Sequence, residues 1–450
     1  MAAEVAHTEW RNIVTVTILA LLGKLQSGFF MWSFWPYMRQ LNPAVSPSAI
    51  GLALACMGLG EALSSPILGM YSNKRKGVQK TLVVCYAICI VANFCYLAAK
   101  ATPLEIRIPV VVISRFLLGV GIGNRGIGQS YVSSISTLAD RKTAMSLTSG
   151  GTAVGLSVGP GFQMIINRFR GENFNFLGIE FDVNNINTLL AIKVNLICIF
   201  ILLTCLRETV EEENPDEKIV FEDVAKFPID KIAIGIVVLS RIDRVFINSN
   251  FKSTGFLYSE IMFELSEKQT MNVNSNLAIV SSVFVVGVYV FCALSDITER
   301  IADRFIVVIT LSIALLFHLV TMPWWFLSGH LNCDNFNSAA DAQLYSWCVT
   351  IHPVNMYLYF GGYVLLNGIG LVQSASCCAK VIGPMVLTLL FDSYGPQPNW
   401  ILEIICLSVV ILFWLVFYNR MNPSRSPTEI DLVSRGRRLV TCLEDVNVRS

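Results

Sequence analysis

The chain reads as a succession of long apolar runs separated by short polar stretches. The runs Ile13–Leu22, Thr81–Ala99, Leu189–Leu206 and Ile401–Tyr418 carry almost no charge. The longer of them approach the ~20 residues that a helix needs to cross a ~30 Å hydrocarbon core. A backbone in lipid has to satisfy its own hydrogen bonds, so such runs are helices; a barrel would alternate apolar and polar positions instead. The pattern predicts spans near 12–34, 48–70, 80–99, 108–131, 143–167, 188–206, 232–256, 273–294, 305–325, 354–372, 376–391 and 400–418.

The longest polar interruption, Arg207 to Lys231 with its acidic run Glu211-Glu212-Glu213, falls midway. It divides the chain into an N-terminal six-helix lobe (1–206), a linker (207–231), a C-terminal helical lobe (232–418) and a tail (419–450). The fold class is an all-α polytopic membrane protein of about a dozen spans, in which each half repeats an inverted three-helix unit. Between Asn355 and Phe391 there is too little chain for two full spans and a polar turn, and Gly368–Lys380 holds only small or weakly polar residues before its lysine. Spans ten and eleven are therefore either short, broken helices or a shortened pair.

Composition agrees with this reading. Of 450 residues, 54% are hydrophobic and 14% charged, where a soluble protein carries about a quarter charged. The net charge of +1 gives no footprint for nucleic acid. Lys74, Arg75, Lys76, Lys80, Arg141, Lys142, Arg300 and Arg304 crowd alternate loops, and Arg420, Arg425, Arg435, Arg437 and Arg438 the tail, whereas Phe326–Pro353 holds no lysine or arginine. This asymmetry places both termini and the linker in the cytosol. Trp32, Trp35, Tyr37, Trp324 and Trp325 fall where an interfacial aromatic belt is expected. The polar start and the absence of a small-residue cleavage site make the first span its own insertion signal. Most of the 13 cysteines lie inside spans as small hydrophobes. Cys333 and Cys348 share one non-cytosolic loop, as a candidate disulfide or as two free thiols. With no metal-ligand spacing, phosphate loop or Gly-x-Ser-x-Gly elbow, neither cofactor, metal nor enzymatic chemistry is expected.

Three motifs carry the candidate chemistry. After span two comes a turn from Gly69 through Asn73, Lys74 and Arg75 to Gly77; its counterpart in the second half holds Asp296 and Arg300. A generic positively charged loop is the plainer account. Span four carries Arg115-x-x-x-Gly119-x-x-x-Gly123, a smooth stripe for close helix contact. Asn124, Arg125 and Gln129 follow deeper in the same span. A guanidinium at mid-depth is costly unless it meets water or a partner. Arg125 is thus the leading candidate for contact with substrate or counter-ion, unless span four ends early and leaves it at the cytosolic mouth. Arg115 either lines the pathway or snorkels. Span five carries Gly155-x-x-x-Gly159-Pro160, echoed in span eleven by Lys380-x-x-Gly383-Pro384. Matching breaks in two halves point to the moving elements of alternating access.

Among other intramembrane charges, Lys24 and Glu61 are expected to pair, as a structural tie or as part of an ion path. Lys193 snorkels from its span end. Lys252, with Arg241, Asp243, Arg244, Asn248 and Asn250, makes span seven the most polar and a cavity-lining helix. His318 in span nine is an interhelical hydrogen-bonding group or, as the lesser reading, a proton carrier.

The loop, span-four and span-five motifs resemble those of major facilitator superfamily transporters. Ser33-Phe-Trp-Pro-Tyr37, Ser65-Pro66 through Lys74, Gly121-Ile-Gly-Asn124-Arg125 and Ala379-Lys380-Val-Ile-Gly383-Pro384 are further similar to its lysosomal branch associated with neuronal ceroid lipofuscinosis. That resemblance implies an endolysosomal, multi-pass protein transporting a small solute or anion, with a cation-lined site from spans one, four, seven and ten and a chloride channel as the alternative. It also exposes departures. Asn73 replaces a usual Asp, Phe251-Lys252-Ser253 replaces a Phe-Glu-Thr pattern, and the chain is short after Gly370. The last leaves a non-transporting shortened form as a third expectation. Expected partners are the bilayer and the transported solute, with a monomeric or dimeric assembly.

Overall fold

The computed structural model describes residues 7–75, 77–137, 140–167, 174–176, 179–181, 185–206, 230–294, 303–329, 331, 346–369 and 377–421. The apolar runs fold into helices α1 (Trp10–Phe29), α2 (Phe34–Leu41), α3 (Ser48–Arg75), α4 (Gln79–Ala98), α5 (Leu104–Ile122), α6 (Arg125–Ser134), α7 (Arg141–Asn167) and α8 (Ile186–Cys205) in the first half. The second half contains α9 (Lys231–Ser253), α10 (Gly255–Met262), α11 (Glu267–Leu294), α12 (Asp303–Thr321), α13 (Met356–Ile369), α14 (Cys377–Tyr394) and α15 (Pro396–Val416). Each of the twelve spans read from the sequence has a helix here, with α5 and α6 sharing the fourth. Among the described residues, eight spans are long and apolar enough to cross a membrane. α7 and α9 are comparably long but more polar, and α13 with 14 residues reaches only about 21 Å.

Two features depart from the sequence reading. An antiparallel strand pair, Phe174–Phe176 with Ile179–Phe181, sits between α7 and α8. Trp32, Trp35 and Tyr37 do not form an interfacial belt: they are buried in the core at 3%, 4% and 0% exposure, because the chain folds back through α2 at that end. Trp325 is exposed as a belt residue would be. Cys348 is in a disulfide, while Cys333 lies outside the described residues.

Small residues set the distances between helices. In α7, Gly155 faces the Leu21 carbonyl of α1 so closely that a Cβ would overlap it. One turn on, Gly159 meets Gly28, where a Cβ would come within 2.5 Å of the opposing Cα. In lipid, where hydrophobicity does not drive helices together, such backbone approach supplies the association. Gly119 and Gly123 of the span-four stripe face α3 at Met57 and Ser64.

The same device joins the two halves. α3 packs along α14, with Gly51 against Pro384 and Thr388 and Gly58 against the Lys380 backbone, where a Cβ would stand 2.7 Å from the carbonyl oxygen. Glu61, just beyond on α3, accepts from Lys380 Nζ at 2.5 Å. α7 meets α11, where Gln163 Nε2 donates to Met271 Sδ at 3.4 Å, and Trp32 rests on Gly255. The α3–α14 contact runs from Gly51 to Glu61, and the α7–α11 contact continues at Gly161, which faces Ile279.

Gly155→Val is expected to destabilise the first half by about 1–3 kcal/mol through overpacking, read as a lowered midpoint of thermal unfolding in detergent. For the partly buried Glu61–Lys380 tie, Glu61→Gln and Lys380→Met are each expected to cost roughly 1–3 kcal/mol. Their combination is expected to cost less than the sum, and a double-mutant cycle with no coupling would show that the tie does not hold the halves together.

Candidate functional site

The site begins with a break in span four. Gly123 and Asn124 form a loosened right-handed turn between α5 and α6, and Arg125 becomes the first residue of α6. Gly123 is small enough to lie against Ser64. Its freed carbonyl stands 3.2 Å from Ser65 Oγ, which also lies 2.7 Å from the Glu61 carbonyl. One hydroxyl thus stitches the break to α3 at the turn that carries Glu61. The Asn124 carbonyl accepts from the Ile127 and Gly128 amides and starts the new helix.

Arg125 is half-buried, as are Lys24 on α1, Asn124 and Gln129. The charges of Arg125, Lys252, Glu61 and Lys380 all act on Lys24. Those of Lys380, Arg125 and Glu61 act on Lys252. Helices α1, α3, α6, α9 and α14 therefore bring four cations and, among the described residues, one carboxylate within electrostatic range of one another. Lys252 is exposed although helices from both halves surround it. Exposure within such a ring marks an open polar cleft between the halves. The Lys380–Glu61 contact, with side chains 26% and 13% exposed, lies on its wall.

This geometry corrects one sequence expectation. Glu61 pairs with Lys380 of the opposite half, not with Lys24. The glycine contact of α3 with α14 brings Lys380 Nζ to the carboxylate, whereas among the described residues Lys24 makes no ion pair and feels Glu61 only at longer range. Through Glu61 and Lys380, both expected as pathway residues, spans two and eleven join the expected set of one, four, seven and ten.

Arg115 neither snorkels nor joins the cleft cluster. It is 5% exposed, with its guanidinium 4.4–4.5 Å from the ring centres of Phe30, Phe34 and Tyr96. Cation–π attraction in this desolvated cage replaces water. Lys193 is exposed, as a snorkelling lysine would be.

The helix-break motifs sit at interfaces. Gly155, Gly159 and Pro160 lie against α1, and Gly383 lies against Ser249 and Phe246 of α9 with Pro384 next to it inside α14. Gly69 has open space around it. Asn73, Lys74 and Arg75 form the last turn of α3, but their side chains lie outside the described residues, as do Asp296 and Arg300.

Sequence reasoning overlooked Glu403, a buried carboxylate in α15 that lies 2.9 Å from His318. Its only signal was a lone acid in an otherwise apolar run. Among the described residues no group of His, Cys, Asp and Glu side chains is arranged to hold a metal.

The sequence profile of the Major Facilitator Superfamily matches residues 19–340. Major facilitator superfamily domain-containing protein 8 of Xenopus laevis is 22% identical over 92% of this chain and 92% of its own length. The structure also resembles a D-xylose-proton symporter, with a TM-score of 0.59 at 13% identity over 92% of this chain and 98% of that one. The nucleoside transporter NupG gives a TM-score of 0.54 at 13% identity over 90% and 99% of the two chains. Profile, near full-length kinship and shared architecture agree, and the chain belongs to the Major Facilitator Superfamily.

Proposed function

We propose that this protein is a secondary transporter that carries a small anionic solute across the endolysosomal membrane by alternating access. The observation that carries the reading is the cleft of four cations around one carboxylate. Like charges gathered in a low-dielectric bundle repel one another and lose hydration. An anion between them relieves both penalties, whereas a neutral or cationic solute does not. Lys24, Arg125 and Lys252 hold the solute in this reading, with Asn124 and Gln129 as neutral hydrogen-bonding groups beside them. Lys380 stays tied to Glu61 until the halves move.

Alternating access draws support from the contacts between halves. They run along α3–α14 and α7–α11 over smooth surfaces at Gly51, Gly58 and Gly161, on which the bundles can tilt as rigid bodies. The proposed halves divide at the linker 207–231, most of which lies outside the described residues. The endolysosomal location rests on the motif resemblance, and the cytosolic placement of both termini on the distribution of lysine and arginine in the loops.

Flux into proteoliposomes across a panel of anionic, neutral and cationic solutes tests the reading. Saturable anion uptake with counterflow is the expected result. Arg125→Ala is expected to raise the half-saturating concentration about 10- to 100-fold, the loss of one charge-assisted contact. A non-saturating current reversing at the chloride equilibrium potential would replace the carrier with a channel. Flux of no solute at all, or flux indifferent to Arg125→Ala, would remove the site assignment.

A further inference from the structure

The second half buries a separate ionisable cluster away from the cleft. His318 on α12 and Glu403 on α15 are each 0% exposed, with Nε2 and Oε2 2.9 Å apart. His318 Nδ1 lies 2.7 Å from the Ala314 carbonyl. A carbonyl oxygen only accepts, so Nδ1 carries a hydrogen and Nε2 is the nitrogen free to gain or lose one. The contact is an ion-pair approach and not an aligned hydrogen bond. With no proton on either atom, two electron-rich atoms would sit 2.9 Å apart in a dry pocket and repel. The pair therefore holds a proton, as imidazolium and carboxylate or as imidazole and carboxylic acid.

Asp243 on α9 is 4% exposed, and neither of its carboxylate oxygens has a hydrogen-bond partner. The charges of Glu403, His318 and Arg244 act on it. A second carboxyl group thus lies within electrostatic range of the His318–Glu403 pair in a dry pocket, and a bare carboxylate without hydrogen bonds is costly there. The other titratable and charged groups facing the cluster are Arg244, with Arg241 beside it, on α9, Cys406 on α15 and Tyr359 on α13. Tyr258 of α10 closes one side by stacking on Trp400 at 4.7 Å.

We propose that Asp243, His318 and Glu403 form a proton-binding site whose occupancy acts on α9. The exchangeable proton resides on one of the two carboxyl groups, while the His318–Glu403 pair retains the other. The link to α9 is direct. Asn250 Nδ2 donates to Glu403 Oε2 at 3.1 Å, and its Oδ1 accepts from Thr254 Oγ1 at 2.5 Å. Protonating Glu403 weakens the acceptor that holds Asn250, two residues from Lys252 in the cleft. This site stands whatever the cleft carries.

The test uses the full chain in lipid nanodiscs and pH-difference infrared spectroscopy. A carboxylic-acid carbonyl band is expected to appear as pH falls across roughly pH 5–8, the range in which imidazole and burial-shifted carboxyl groups titrate. Glu403→Gln and Asp243→Asn are each expected to remove the band or move its midpoint by a full pH unit or more. Carboxyl isotope labels on Asp or Glu in the unsubstituted chain identify the residue type even where a variant fails to fold. Amide hydrogen exchange along α9 is expected to follow the same midpoint. No titrating band, or a band insensitive to both substitutions and both labels, would overturn the site. A titration that leaves α9 exchange unchanged would overturn its link to the helix.

Discussion

Four cations cannot be held around one carboxylate in the middle of a membrane-spanning bundle unless water or an anion stands between them. The architecture follows from this constraint. Lys24, Arg125, Lys252 and Lys380 come from four helices, two in each half, so the repulsion they generate acts across the interface between the halves. Glu61 offsets part of it by pairing with Lys380, and the exposure of Lys252 leaves its ammonium open to water. In the proposed reading, the electrostatics that would receive an anion also oppose closure of the two halves into a single dry core.

Opposing that repulsion is backbone packing. Gly51 and Gly58 allow α3 to lie against α14, and Gly28, Gly155 and Gly159 lock α1 to α7 within the first half. Contacts between the halves run along two helix pairs, α3 with α14 and α7 with α11, where small residues and one ion pair set the approach. The proposed alternating access moves the halves as two bodies over these glycine-lined surfaces. The helix break at Gly123–Asn124 adds a local element to it, since it sets Arg125 at the start of a new helix and ties that start to α3 through Ser65.

Much of this was legible in the sequence because lipid imposes a simple grammar. Apolar run length located a helix for each predicted span, eight of them long and apolar enough to cross a membrane among the described residues. The glycine spacings of spans four and five marked close contacts that the structure contains. The individual cleft residues were legible too, since a charge in an apolar run requires an explanation. What sequence could not supply was pairing across the fold. Lys24 and Glu61 were the natural partners by proximity in the chain, but the carboxylate meets Lys380, 319 residues away. Arg115 resembled a pathway residue until its aromatic cage appeared, because Phe30, Phe34 and Tyr96 give no periodic signal of converging. Glu403 went unnoticed for a similar reason: one acid in span twelve means little until His318 and Asn250 are seen to face it.

The central claim is that Lys252 lies in a water-filled, cation-rich cleft between the two halves. Its most direct test is the reactivity of Lys252→Cys, in a chain whose other accessible thiols have been replaced, toward membrane-impermeant reagents of opposite charge. Three cations and one carboxylate remain around that position, so an anionic thiosulfonate is predicted to react faster than a cationic one of similar size, with the preference shrinking as salt is raised. Equal rates for the two reagents, or no reaction from either side of the membrane, would contradict the account.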